Sequence, residues 1–132
     1  MSEKPIAKPG PTPIPQAVKS LQLGTVTYNL GRSWDLDTLI KNCIETQFQG
    51  VELRTTHAHG IEINTATVKR RQVRQIFEDS GVKLVGIGSA CEFHAADPVE
   101  VRRNIEETKA FAKLAHDVGA SGVKVRPNGL PE

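Results

Sequence analysis

Gly50-Val-Glu-Leu-Arg54 and Gly122-Val-Lys-Val-Arg126 share one pattern, a glycine and a valine followed by charged and aliphatic residues in alternation. Side chains on a strand point alternately to its two faces. Val51 and Leu53 therefore share one face and Glu52 and Arg54 the other, and Val123 and Val125 stand in the same way against Lys124 and Arg126. In a sheet covered by helices on both sides, such a charged face would be buried at high cost. In a closed barrel it turns toward the interior and the mouth formed by the C-terminal ends of the strands, where barrel active sites lie. The pattern predicts two barrel strands.

The segments around them alternate in the same rhythm. Leu23 to Leu30 alternates apolar and polar positions and is rich in β-branched residues, which predicts a strand with Thr25, Thr27 and Asn29 on its polar face. Leu36, Leu39, Ile40 and Cys43 recur at i, i+3, i+4 and i+7, one face of a helix that Ser33 or Asp35 can cap. A loop with two histidines, His57 to Asn64, follows the second strand. A helix is expected from Thr67 to Asp79, with Val73, Ile76 and Phe77 on its inner face and Gly81 as its C-cap. Val82 to Ser89 is nearly all apolar and reads as a parallel strand. Asp97-Pro98-Val-Glu100 combines an N-cap, a proline at the first helical position and a capping-box glutamate. It opens a helix to Val118 with Val101, Ile105, Thr108, Ala112 and Ala115 on one stripe, ended by Gly119.

Strands alternating with helices imply right-handed crossovers and a parallel sheet. A doubly wound dinucleotide fold would carry G-x-G-x-x-G after its first strand. Asn29-Leu-Gly-Arg-Ser-Trp34 has a single glycine there. The expected fold class is therefore α/β, the N-terminal half of a (β/α)₈ TIM barrel, with four strands (β1–β4) and three helices. Residues 21–132 form this partial domain, and the helix that should cover the fourth strand is lacking, as if the domain were truncated at the C-terminus. Five of the eight prolines fall in residues 1–20, which read as an extended arm or linker.

Composition narrows the function. The 132 residues are 38% hydrophobic and 24% charged, enough to bury a core. A net charge of +2 is too small for the basic footprint of a nucleic-acid binder. Cys43 and Cys91 form no C-x-x-C pair and read as reduced thiols. With no bilayer-length apolar run and no signal-peptide core at the N-terminus, a cytoplasmic protein without a membrane partner is expected.

Four stretches resemble the xylose isomerase-like barrels, the sugar phosphate isomerase/epimerase family. They are Leu23 to Leu30, Gly50 to Arg54 with His57-Ala-His59-Gly60, Gly88-Ser-Ala-Cys-Glu-Phe-His94, and Gly122 to Asn128. The resemblance covers about Leu21 to the C-terminus. It implies an enzyme moving a proton next to a carbonyl of a sugar or sugar phosphate. It also implies a divalent metal, Mn, Mg, Co or Zn, held by Glu, Asp, His and Glu from later strands. Those strands are not in this sequence, so the resemblance implies no metal ligand and no cofactor in this chain, which alone would be inactive. Two other readings share the fold: an endonuclease acting at abasic DNA sites, with zinc on His57 or His59 together with His94, and a non-catalytic sugar-binding barrel.

By this resemblance His57 is the candidate catalytic residue, handling sugar ring chemistry, and His94 is a second match. Trp34, Arg54, His59, His94, Lys124 and Arg126 are candidate substrate contacts. Trp34 reads equally as an anchor of the barrel rim. Glu92 is a candidate general base, although a lone loop glutamate is more often solvated. Lys69, Arg70, Arg71 and Arg74 read as a solvated helix face. His116 reads as a helix-end residue, Cys43 as core and Cys91 as a thiol near the mouth without an activating partner. Alternate barrel strands share interior layers, so Glu52 and Lys124 are expected to form an ion pair. Arg54 and Arg126 then make a positive floor that needs a carboxylate or a substrate anion between them. The unpaired sheet edges of a half-barrel predict self-association.

Overall fold

The computed structural model describes residues 21–129; the expected arm, residues 1–20, lies outside the described residues, as do 130–132. Strands β1 (Gly24–Val26), β2 (Gly50–Arg54), β3 (Lys83–Glu92) and β4 (Val123–Arg126) alternate with helices α1 (Leu36–Thr46), α2 (Thr67–Ser80) and α3 (Pro98–Val118). The strands form one sheet in chain order, β1-β2-β3-β4, and every neighbouring pair is parallel. A doubly wound sheet reverses its strand order at a switch point. This one does not, and it is half of an eight-stranded barrel.

Local signals set the helix ends. The Asp35 carboxylate accepts from the Thr38 N–H at 2.8 Å and starts α1. Asp97 accepts from the Val99 N–H at 2.9 Å, with Pro98 in the first turn of α3. Glu100 does not complete the expected capping box; its carboxylate lies 3.6 Å from Arg103. Helices α2 and α3 end at Gly81 and Gly119, whose φ values of 73° and 82° are left-handed and suit a residue without Cβ.

The core lies between the sheet and the helices. Val51 and Leu53 of β2 and Ile87 of β3 meet Leu39 and Cys43 of α1, Val73 and Phe77 of α2, and Phe111, Leu114 and Val118 of α3. Three expectations change here. Cys91 is 1% exposed and belongs to this core rather than to the mouth. The buried face of α3 is Phe111, Leu114, Ala115 and Val118, with Ile105 and Ala112 exposed. The bulky Phe111 faces the sheet and sets the rotation of the helix. Arg70 is buried, donates to the carbonyls of Ile63 and Thr65, and lies 2.9 Å from Asp117, so it clamps the loop after β2 to α3.

Strand lengths also depart from the sequence pattern. β1 stops at Val26, because Thr27 turns its hydroxyl to the backbone of β2 and Asn29 takes a left-handed φ of 63°. Asn29 therefore leaves the polar face assigned to it. β3 runs on to Glu92, which pairs with Arg126 of β4.

The register shows how the strands are tilted. Arg54 pairs with Gly88, and Gly88 with Lys124. In the shared motif Lys124 corresponds to Glu52, so two strands introduce an offset of two residues. A barrel with eight strands and a shear of eight staggers by about one residue per strand. The offset has the size that closure into such a barrel requires.

Candidate active site

The inner face of the sheet carries the charges. Lys124 Nζ donates to Glu52 Oε1 at 2.5 Å, across β3. Gly88 makes this possible: a Cβ there would stand 2.7 Å from Glu52 Oε1. The pair is half-open, with the two side chains 49% and 24% exposed.

Nearer the mouth Glu92 is the hub. Its Oε1 lies 2.8 Å from an Arg126 nitrogen and accepts from the Asn128 amide at 2.8 Å, while His94 Nδ1 lies 3.7 Å from Oε2. Its backbone N–H donates to Asn104 Oδ1 of α3 at 3.0 Å. A polar cleft of about 240 Å³ opens beside it, lined by Glu92, His94, Glu100, Arg103 and Asn104. Glu92 is thus an ion-pair partner and not a solvated loop residue. The expected floor of two arginines is not formed: Arg126 stands opposite Glu92 and binds its carboxylate, while Arg54 stands opposite Gly88 and donates to the Thr55 carbonyl at 3.3 Å. Arg126 Nε is buried with no hydrogen-bond partner among the described residues.

A second cluster closes the corner between β1 and β2. The buried Thr27 Oγ1 accepts from the Arg54 N–H at 2.9 Å and lies 2.8 Å from His57 Nδ1. His59 Nε2 lies 2.7 Å from the Arg54 carbonyl, and the Ile61 N–H donates to His59 Nδ1 at 3.0 Å. The Arg54 peptide groups therefore hold both histidines. Glu62 accepts from the Thr56 N–H at 2.5 Å and from the Thr55 hydroxyl. It braces a β-branched residue at φ 69°, a conformation such residues rarely adopt. The Tyr28 ring stacks on His57 at 6.3 Å and 23°, and the Ala58 N–H donates to the Arg32 carbonyl at 2.9 Å, joining the loops after β1 and β2.

Both histidines have their pKa values lowered from the usual imidazole range. Burial lowers the His57 pKa first, then the nearby His59, Arg54 and Arg32, with Glu62 opposing. Burial also lowers that of His59, opposed by its bond to the Arg54 carbonyl and by Glu62. His59 is 8% exposed and both ring nitrogens meet backbone groups, so it anchors the loop and offers no nitrogen to a substrate. Trp34 is half-buried, packing against the core and over Gly31. Of the sequence-derived candidates, His57 and Arg54 meet in the β1–β2 corner, Arg126 and His94 gather around Glu92, and Lys124 is paired with Glu52 across β3.

Glu62, Asn104 and Asn128 were not singled out from the sequence, where nothing in their spacing marks them. Gly88 carried a signal of its own, a glycine inside a strand, which marks a close approach. Among the described residues no three of His, Cys, Asp and Glu come together to hold a metal ion. Among the described residues no helix is long and apolar enough to cross a membrane.

Solved structures with this arrangement include a xylose isomerase-like TIM barrel/4-hydroxyphenylpyruvate dioxygenase fusion protein, at a TM-score of 0.62 and 20% identity over 80% of this chain and 16% of that one. The chain has the fold of half a TIM barrel, as these barrels do in the part it matches. The probable 3-DHS dehydratase AsbF involved in petrobactin synthesis, from Bacillus anthracis, matches at 0.60 and 16% identity, over 80% of this chain and 38% of that one. A xylose isomerase domain protein from Planctomyces limnophilus matches at 0.54 and 15% identity, over 85% and 41%. The chain spans less than half the length of each of these. No family model and no curated protein matches the sequence.

Proposed function

We propose that this chain supplies the substrate-contacting N-terminal half of a barrel that moves a proton next to the carbonyl of a sugar or sugar phosphate, the chemistry of an isomerase or epimerase. One observation carries the reading. His57 and Arg54 at the end of β2, and Arg126 with Glu92 at the ends of β4 and β3, form two polar clusters at the C-terminal ends of parallel strands. That is where barrel enzymes bind their substrates. Arg54 and Arg126 fix an anionic or polyhydroxylated substrate, and His57 contacts a ring or hydroxyl oxygen. Arg126 Nε, buried without a partner among the described residues, suits a neighbouring group not among them. A divalent metal of the kind used by the barrels this chain resembles would stabilise the enediolate, and its ligands would come from outside this chain. The roles of this chain's residues do not depend on it.

Titrating the ¹⁵N-labelled chain with a pentose and with its phosphate ester tests the reading. Amide shifts confined to residues 54–60, 92–94 and 124–128 are expected, larger for the phosphate. Shifts on the outer helix faces, or none, would contradict it.

A further inference from the structure

His57 can exist as two neutral tautomers, and which one is present decides what it offers a substrate. The Thr27 hydroxyl has one proton to donate and is 1% exposed, so that proton needs an acceptor inside the protein. Among the described residues two groups reach Oγ1, the Arg54 N–H at 2.9 Å and His57 Nδ1 at 2.8 Å. The first is a donor and can receive nothing. If His57 carried its proton on Nδ1, Oγ1 would accept twice and its own hydrogen would have no partner among the described residues. If Nδ1 is unprotonated, the hydroxyl accepts from Arg54, donates to Nδ1, and every group is satisfied.

We infer that Thr27 is a positioning residue that fixes His57 as the tautomer with its proton on Nε2, making His57 a neutral hydrogen-bond donor to a substrate oxygen. This rests on the reading of His57 as a substrate contact and sharpens it. The ring is half-buried, and among the described residues no group bonds to Nε2. The ligand it suits presents an uncharged acceptor oxygen there, a carbonyl or a ring or hydroxyl oxygen. A base at this position would need Nε2 bare, so the proton taken from carbon goes to another group. The backbone N–H of Arg54 is what orients the hydroxyl, and it comes from the strand that leads into the His57 loop. The tautomer is thus written into the pairing of the β1 and β2 ends.

Histidine ring ¹⁵N spectra of the full chain near neutral pH test this without any substrate. The expected pattern has Nδ1 of His57 unprotonated and Nε2 protonated. Thr27→Val should lose the preference and give both tautomers, and Thr27→Ser should restore it. His59, whose nitrogens both meet backbone groups, reports folding in each variant and should stay protonated on Nε2. A bare Nε2 on His57 in the unaltered chain would overturn the inference, as would an unchanged His57 pattern in Thr27→Val with His59 intact. If Thr27→Val unfolds, the unaltered chain and Thr27→Ser still decide. Failure of sugar binding with this pattern intact would sink the functional reading and leave the tautomer assignment standing.

Discussion

β2 and β4 carry the same motif and meet different fates. Val51 and Leu53 of β2 are fully buried, while the corresponding Val123 is half-buried and Val125 is 36% exposed. β2 has a strand on each side, and its outer face lies under the helices. Among the described residues β4 is an edge of the sheet, paired only with β3. Alternation along a strand tells which side chains share a face; the neighbours decide whether that face is dry. The polar side follows the same division. The Thr27, His57 and His59 corner at the end of β2 is closed by bonds to backbone groups, whereas Glu52–Lys124 and Glu92–Arg126 toward β4 stay half-open to solvent.

The largest expected contrast is in the core. Leu53→Ala should cost about 2–5 kcal/mol through lost burial and the cavity left behind. Val125→Ala, on the equivalent face of β4, should change stability by about 0.5 kcal/mol or less. Urea unfolding of the two variants checks both, and similar losses would break the contrast.

Acid should act on the β2 corner next. His57 and His59 titrate below 6.5 when folded and near 6.5 when unfolded. The unfolded chain therefore binds more protons as pH falls, and the native state loses stability. The contribution is complete above 6.5 and is lost progressively below it, toward the folded-state pKa values. Urea midpoints measured across this range should fall on acidification. Replacing His59, the more buried ring, should flatten that slope.

The Glu52–Lys124 pair should matter less. A fully buried pair loses about 3–5 kcal/mol when one partner is removed. With its lysine half-exposed this one falls in the range of solvated pairs, and Lys124→Met should cost about 0.2–1 kcal/mol. A loss near the buried value would show that the inner face of β4 is closed in solution.

Much of this organisation was legible from residue patterns. Element order, the Asp35 and Asp97 caps and the glycine ends of α2 and α3 follow from periodicity and local backbone chemistry, which act within a few residues. The site was legible only in part. The charged faces of β2 and β4 could be read from alternation, but the role of Thr27 depends on the Arg54 N–H 27 residues away in sequence. The sequence pattern extends β1 through Thr27, whereas folding turns that residue into a bracket for His57. Glu92 looked like a lone loop glutamate because its partners Arg126 and Asn128 arrive from β4 and the segment just after it. His59 looked as available as His57, and only the geometry shows its two nitrogens committed to the backbone.

Native-state hydrogen exchange tests the half-barrel account most directly, because it reads β2 and β4 in one experiment. The hydrogen-bonded amides of Val51–Arg54 should exchange only through global unfolding. Those of Val123–Arg126 should exchange through local opening at least about tenfold faster, a difference of about 1.4 kcal/mol. Equal protection of the two strands would contradict the account, since β4 would then be as well covered as β2.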